Sequence, residues 1–224
     1  MKIIQLLSGG LDSTTLLYKL LNEGHDVHAL SIIYGQRHER EMIAAGETCA
    51  KLNVPWLMLN LDDLKTVMQG SSLTDEIDVP LGHYAEESMK QTVVPNRNMI
   101  FLSIAAAYAI SLQADGIAYA AHAGDHAIYP DCRQPFINSL AHTLSVANMW
   151  NKPLIVLAPF INMSKIQILK EGLLLDVDYS RTWTCYNGGS KPCMQCGACV
   201  ERIEAFLLNN TEDPLLKESD NDLF

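Results

Sequence analysis

Residues 2–7, KIIQLL, form an apolar run that does not alternate with polar positions. A strand with one wet face alternates, so this run belongs to a strand buried on both faces, as in a parallel sheet covered by helices. It stops at Ser8-Gly9-Gly10-Leu11-Asp12-Ser13. A segment follows at once with Leu16, Leu17, Leu20 and Leu21 at helical spacing, and Gly24 closes it. The pairing recurs along the chain. Residues 27–33, 54–61, 116–121 and 154–158 predict further strands, and residues 37–52, 96–112, 133–150 and 164–171 predict helices. That alternation specifies an α/β fold with a doubly wound parallel sheet. Residues 70–95 carry Gly70, Pro80 and Gly82 with little periodicity and are expected to form a mobile loop.

Composition narrows the class of partner. The 224 residues are 48% hydrophobic and 19% charged, which is ample for a core and too apolar for disorder. The formal net charge is −10, of which residues 212–224 hold −4, from Glu212, Asp213, Glu218, Asp220 and Asp222 against Lys217. No block of Lys and Arg occurs elsewhere, so tight sequence-independent binding to nucleic acid, which needs clustered positive charge, is disfavoured. The most apolar stretch, residues 99–112, is shorter than the roughly 20 residues that cross a bilayer. The amino-terminal run is too short for a signal-peptide core. The expectation is a soluble, cytoplasmic protein with neither nucleic acid nor membrane as partner.

In doubly wound sheets ligands sit beyond the carboxyl ends of the strands, where residues 8–13 fall. Gly9 and Gly10 allow positive φ and let backbone N–H groups face an anion. The following helix offers unpaired N–H donors and a positive dipole end. Ser8 and Ser13 add hydroxyls, and Asp12 is suited to a magnesium ion. A simple N-cap would need fewer of these residues. No Gly-Lys-Ser/Thr follows, so the stretch is not a Walker A loop.

A second constellation is Cys185-x7-Cys193-x2-Cys196-x2-Cys199. Four thiolates at this spacing suit a tetrahedral zinc ion in a closed, structural site, and an iron–sulfur cluster could use the same donors. A disulfide framework does not fit a reducing cytoplasm. Cys49 and Cys132 lack such company and read as packing residues. His122 and His126 are four apart, but in a loop that spacing makes no common face for a metal.

Ser8–Ser13 resembles the SGGxDS signature of the PP-loop ATP pyrophosphatases, which hold the β,γ-pyrophosphate of ATP and transfer AMP to an oxygen of the substrate. Tyr34-Gly35-Gln36-Arg37-His38, Val94-Pro95-Asn96-Arg97-Asn98, Ile128-Tyr129-Pro130-Asp131-Cys132-Arg133, Pro159, Ser164-Lys165 and Thr182-Trp183-Thr184-Cys185-Tyr186 fall at strand ends or helix starts. With the cysteines they resemble the 7-cyano-7-deazaguanine synthase family of the queuosine precursor pathway over residues 2–208.

The resemblance implies a Rossmann-like fold of the adenine nucleotide alpha hydrolase type with a small zinc-binding region. Residues 1–182 would bind ATP, 183–208 would form the four-cysteine knuckle and its helix, and 209–224 would be a flexible acidic tail. It implies ATP with Mg2+ on Ser8, Gly9, Gly10, Leu11, Asp12, Ser13 and Lys165, and structural Zn2+ on Cys185, Cys193, Cys196 and Cys199. Asp12, Lys165 and Arg97 would act in catalysis; Arg37, His38, Asn96, Arg97, Tyr129 and Asp131 would contact 7-carboxy-7-deazaguanine. Ammonia would enter free, and the chain would form a homodimer. The guanine-like edge presents adjacent N–H donors, for which Asp131 or Asp125 is the expected carboxylate, with Tyr129 stacking. The alternative is another PP-loop adenylating enzyme: an amidating synthetase, a tRNA thiolase or a base-conjugating defence protein. Two departures stand out. Met194 occupies a place where the family usually has glycine, and residues 121–126 differ from better-known versions of that loop.

Overall fold

β1 (Lys2–Leu6) contributes Ile3 and Ile4, both fully buried, to opposite faces of the sheet. Ile3 packs with Leu16, Leu17 and Leu20 of α1 (Leu11–Asn22) and with Ile168 and Leu169 of α5 (Lys165–Leu174). Ile4 packs with Leu102, Ala105 and Ala109 of α3 (Arg97–Ser111) and with Leu140 and Leu144 of α4 (Gln134–Ala147). The non-alternating run thus serves two cores at once, which only a sheet with helices on both sides permits.

This architecture is seen in a computed structural model that describes residues 1–37, 39–82, 87–148 and 152–216. The other strands are β2 (Asp26–Ile33), β3 (Trp56–Asn60), β4 (Gly116–Ala118) and β5 (Ile155–Leu157). All five are parallel, in the order β3-β2-β1-β4-β5, with Ile3 opposite Val27 on one side and Gly116 on the other. The order reverses direction at β1, and that switch point opens a crevice at the carboxyl edge. α2 (Arg40–Leu52) follows β2, and α6 (Gly197–Leu208) follows the cysteine cluster. No helix among the described residues is long and apolar enough to cross a membrane.

Two expectations need correction. The described part of residues 70–95 is packed: Ser71, Ser72, Met89 and Thr92 are fully buried. Ser72 N–H donates to the Gln91 carbonyl at 2.8 Å, and the Thr92 and Tyr129 hydroxyls lie 2.6 Å apart. Order there comes from burial and from hydrogen bonds between residues distant in sequence, which leave no periodic trace. The tail also does not begin at 209. Asp213 is buried and grips Arg202 of α6 through two bonds, Nε–Oδ2 at 2.6 Å and Nη2–Oδ1 at 2.8 Å. Residues beyond 216, His38 and the predicted helix end at 149–150 lie outside the described residues.

Arg202 also donates to the Thr182 and Thr184 hydroxyls at 2.7 and 3.1 Å and to the Tyr179 carbonyl at 3.0 Å. Its charge is therefore desolvated but fully bonded, and removing Asp213 would strand it. Asp213→Asn is expected to lower the unfolding free energy by about 3 kcal/mol in urea titration. A loss below about 1 kcal/mol would mean that the pair behaves as a solvated one.

Candidate functional site

The crevice holds a cleft of about 260 Å³ lined by residues of α1, α2, α3, α5 and α6 and of the loops that leave β1, β2 and β4 at their carboxyl ends. The loop after β1 forms its floor. Gln5 of β1 donates from Nε2 to the Ser13 carbonyl at 2.7 Å, tying the loop to the sheet. The Ser8 and Ser13 hydroxyls are 2.9 Å apart, and Ser8 Oγ accepts from Gly10 N–H at 3.2 Å. Ser8, Gly10, Leu11, Asp12 and Ser13 line the cleft. Gly9 does not face it. Gly9 has φ +82° and sits so close to α2 that a Cβ would overlap the Glu41 carbonyl and come within 2.8 Å of the Ala45 nitrogen. Gly10, the N-cap of α1, is extended at φ −78°. Of the two glycines, only Gly9 needs the left-handed region, and helix packing is the reason.

Charges gather at one end. The local sequence Ser164-x-x-Gln167 forms a capping box that starts α5 and places Lys165 first in it. Lys165 is buried, with Nζ 2.6 Å from Glu201 Oε2 and 3.3 Å from Asp12 Oδ2. Burial alone would lower its pKa, but Asp12 and Glu201 outweigh that and hold it above the ordinary lysine value. Asp12 Oδ1 is buried without a hydrogen-bond partner. His122 Nδ1 accepts from Gly124 N–H at 3.1 Å, which leaves Nε2, 3.7 Å from both Asp12 Oδ2 and Asp125 Oδ2, as the donor nitrogen. Burial pushes the Asp125 carboxyl up, against the pull of His122 and Lys165.

The other end is aromatic. Tyr34 and Phe101 meet edge-to-face at 5.2 Å, and Tyr129, Tyr186, Ile32 and Leu73 continue the wall. Arg97, first in α3, lies among them with Arg37 and Glu41. Burial opposes the Arg97 charge, but Tyr34, Tyr129 and Cys132 favour it and the guanidinium pKa is raised. Burial lifts the Glu41 carboxyl to about 7, with Arg97 pulling the other way.

The structure brings Ser8, Gly10, Leu11, Asp12, Ser13, Arg37, Arg97, Tyr129 and Lys165 to one cleft. It leaves Asn96, exposed at φ 56°, off the wall. Asp131 is also off the wall: its Oδ2 accepts from Asn98 N–H at 3.3 Å, where it serves the amino terminus of α3. His38 lies outside the described residues. Burial raises the Cys132 thiol pKa and Asn98 Nδ2 donates to its sulfur at 3.3 Å, so it stays a protonated packing residue. Sequence reasoning missed Glu41, His122 and Glu201. Glu41 could have been found from its place in the first turn of the helix after β2. Glu201 gave no signal, because the cysteine cluster decides where α6 lies.

The four cysteine sulfurs lie within 4.8 Å of one another, and Cys185, Cys196 and Cys199 are buried. Cys193 N–H donates to Cys185 Sγ and Cys196 N–H to Cys193 Sγ, both at 3.3 Å, as suits thiolates. This donor set fits a tetrahedral metal ion. Met194 has φ 60°, so it adopts the left-handed turn that a glycine would take and the ligand positions are kept. Trp183 links cluster and cleft: its backbone N–H donates to the Gly9 carbonyl at 3.0 Å, its indole N–H donates to the Cys185 carbonyl at 3.0 Å, and Arg40 stacks over its ring at 4.6 Å.

A parallel sheet reversing at β1, an SGGLDS loop at the reversal and a lysine entering from the last strand define the class as a PP-loop ATP pyrophosphatase fold with an appended four-cysteine knuckle. Residues 2–210 match the family described as "Queuosine biosynthesis protein QueC", and the chain belongs to that family. It is 52% identical to the 7-cyano-7-deazaguanine synthase of Pseudoalteromonas translucida over 96% of this chain and 97% of that protein. It is 47% identical to the enzyme of the same name from Archaeoglobus fulgidus, over 98% and 92%. A solved 4-thiouridine synthetase–RNA complex with bound ATP shares the fold at a TM-score of 0.53 and 15% identity, over 97% of this chain and 52% of that one.

The left-handed conformation costs a side-chain-bearing residue about 1–2 kcal/mol, and glycine's extra freedom when unfolded returns roughly 0.5–1 kcal/mol of that. Met194→Gly is therefore expected to raise the melting temperature of the metal-loaded chain modestly while keeping its metal content. A lower melting temperature would show that the Met194 side chain contributes contacts worth more than the strain.

Proposed function

We propose that this chain converts 7-carboxy-7-deazaguanine and ammonia to 7-cyano-7-deazaguanine at the expense of ATP. The observation that carries this reading is the single cleft shared by the Ser8–Ser13 loop, Lys165 and Arg97, in a chain of this family. A carboxylate resists attack because its charge is delocalised and its oxygen leaves poorly. Its oxygen attacks the α-phosphorus of ATP, pyrophosphate leaves, and an acyl adenylate forms. Ammonia attacks the acyl carbon, AMP leaves and a proton is lost, giving the amide. The amide oxygen is adenylated in turn, with release of a second pyrophosphate. Loss of AMP and of the nitrogen protons then leaves the nitrile.

The residues divide this work by position. The N–H groups at the start of α1 and the Ser8 and Ser13 hydroxyls face the pyrophosphate, with Lys165 neutralising its charge. Gly9 supports the loop from behind. The buried, unpartnered Asp12 Oδ1 fits a magnesium ion, which when bound would neutralise charge on the phosphates. Arg97 holds the anionic carboxylate toward the α-phosphate. Arg37 and the Tyr129 ring bound the site for the deazapurine. Glu41, rather than Asp131, accepts the purine N–H edge, since its carboxylate opens onto the aromatic end. Cys185, Cys193, Cys196 and Cys199 would hold zinc as a structural ion, since four thiolate ligands would leave it no open position for catalysis.

Incubation with 7-carboxy-7-deazaguanine, ammonium and Mg-ATP is expected to yield the nitrile by mass spectrometry, with AMP and pyrophosphate in equal amounts, one of each per adenylation. Accumulation of ADP would refute the mechanism. Glu41 accepts two N–H donors only when ionised, and its pKa of about 7 makes the ionised fraction grow as pH rises through that value. The KM for the deazapurine is thus expected to fall across pH 6–8 (roughly a unit either side of that pKa), and Glu41→Gln to raise that KM and flatten its pH dependence. A rise confined to the KM for ATP would instead assign Glu41 to the adenine.

A further inference from the structure

Glu201 has no role in the chemistry described above, yet it makes the shortest contact to Lys165. Its Oε2 lies 2.6 Å from Lys165 Nζ, whereas Asp12 Oδ2 lies at 3.3 Å from the same nitrogen. Asp12 is the carboxylate with a free buried oxygen, and a cation bound there must compete with the ammonium for the other one. Glu201 is also held unusually firmly for a glutamate. It stands in α6 between Cys199, a member of the thiol cluster, and Arg202, which is locked by Asp213. Its Oε1 abuts Gly124, at which a Cβ would come within 2.8 Å, so the turn carrying His122 and Asp125 closes over it. Its side chain is only 15% exposed.

We propose that Glu201 is a positioning residue that draws Lys165 away from Asp12 and so keeps Asp12 available to a divalent cation. The cysteine cluster, by fixing the start of α6, sets that distance. This inference rests on the Mg-ATP reading of the cleft. With Glu201 neutralised, the ammonium loses its nearer anion and moves onto Asp12, where it occupies the cation's place. A desolvated charge-assisted bond of this kind is worth a factor of ten or more in a competing equilibrium.

Calorimetric titration of ATP into the metal-loaded chain at increasing Mg2+, without deazapurine, reads this directly. Glu201→Gln is expected to raise the Mg2+ concentration for half-maximal ATP binding by about tenfold. The KM for the deazapurine should not move, and kcat should recover at high Mg2+. Glu201→Asp, which restores the charge at a shorter reach, should lie between the two. An unchanged Mg2+ midpoint in Glu201→Gln with its cysteine-bound metal retained would overturn the proposal. Loss of that metal in both variants would also overturn it, since Glu201 would then be serving the cluster and not Lys165. If the unaltered chain showed no Mg2+-dependent ATP binding, the reading of the cleft would fail and this proposal with it.

Discussion

The Lys165 ammonium ties together three helices that are far apart in sequence. α1 supplies Asp12, α5 supplies the lysine, and α6 supplies Glu201. Out of water, a cation at this spot is tolerable only because two carboxylates face it, and two carboxylates are tolerable only because of the cation. The same arithmetic sets the site's response to an incoming polyphosphate. Four more negative oxygens arriving beside Asp12 would be repelled unless the lysine turned toward them and a cation joined the cluster. With one ammonium against two carboxylates the cluster keeps a net negative charge, which a cation arriving with the ligand would offset.

Around that centre, the protein uses backbone more than side chains to shape the cleft. Gly9 lets α2 ride against the loop, Gln5 pins the loop to the sheet through the Ser13 carbonyl, and the Trp183 amide holds it from above. These contacts leave the first N–H groups of α1 without helical partners, directed at the place where a phosphate would rest. Rigidity here matters because adenylation asks the protein mainly to hold charge and align atoms.

How far this could be read from the sequence differed by region. Strands buried on both faces and helices with one apolar face announce themselves by periodicity, so β1, β2, α1 and α3 were legible, as was the position of the SGGLDS loop at the switch point. The cysteines were legible because four sulfurs that must meet within 4.8 Å constrain their spacing. Residues 71–92 were not, since their order comes from hydrogen bonds such as Thr92 to Tyr129. The place of Asp131 at the amino terminus of α3 was not legible for a related reason: a carboxylate near a site and a carboxylate capping a helix look alike until the helix is in place. Glu201 lay hidden because a residue's neighbours across the fold are not written near it.

The Arg202–Asp213 contact reaches past residues 2–210, which match the family, into the stretch that only the full-length relatives share. A version trimmed to residues 2–210 would carry every residue assigned to chemistry and still leave a guanidinium stranded in the interior, against the backbone of residues 179–184 that Trp183 ties to Gly9. The end of the family match and the end of the folded unit are therefore different boundaries, and the second is set by one counterion.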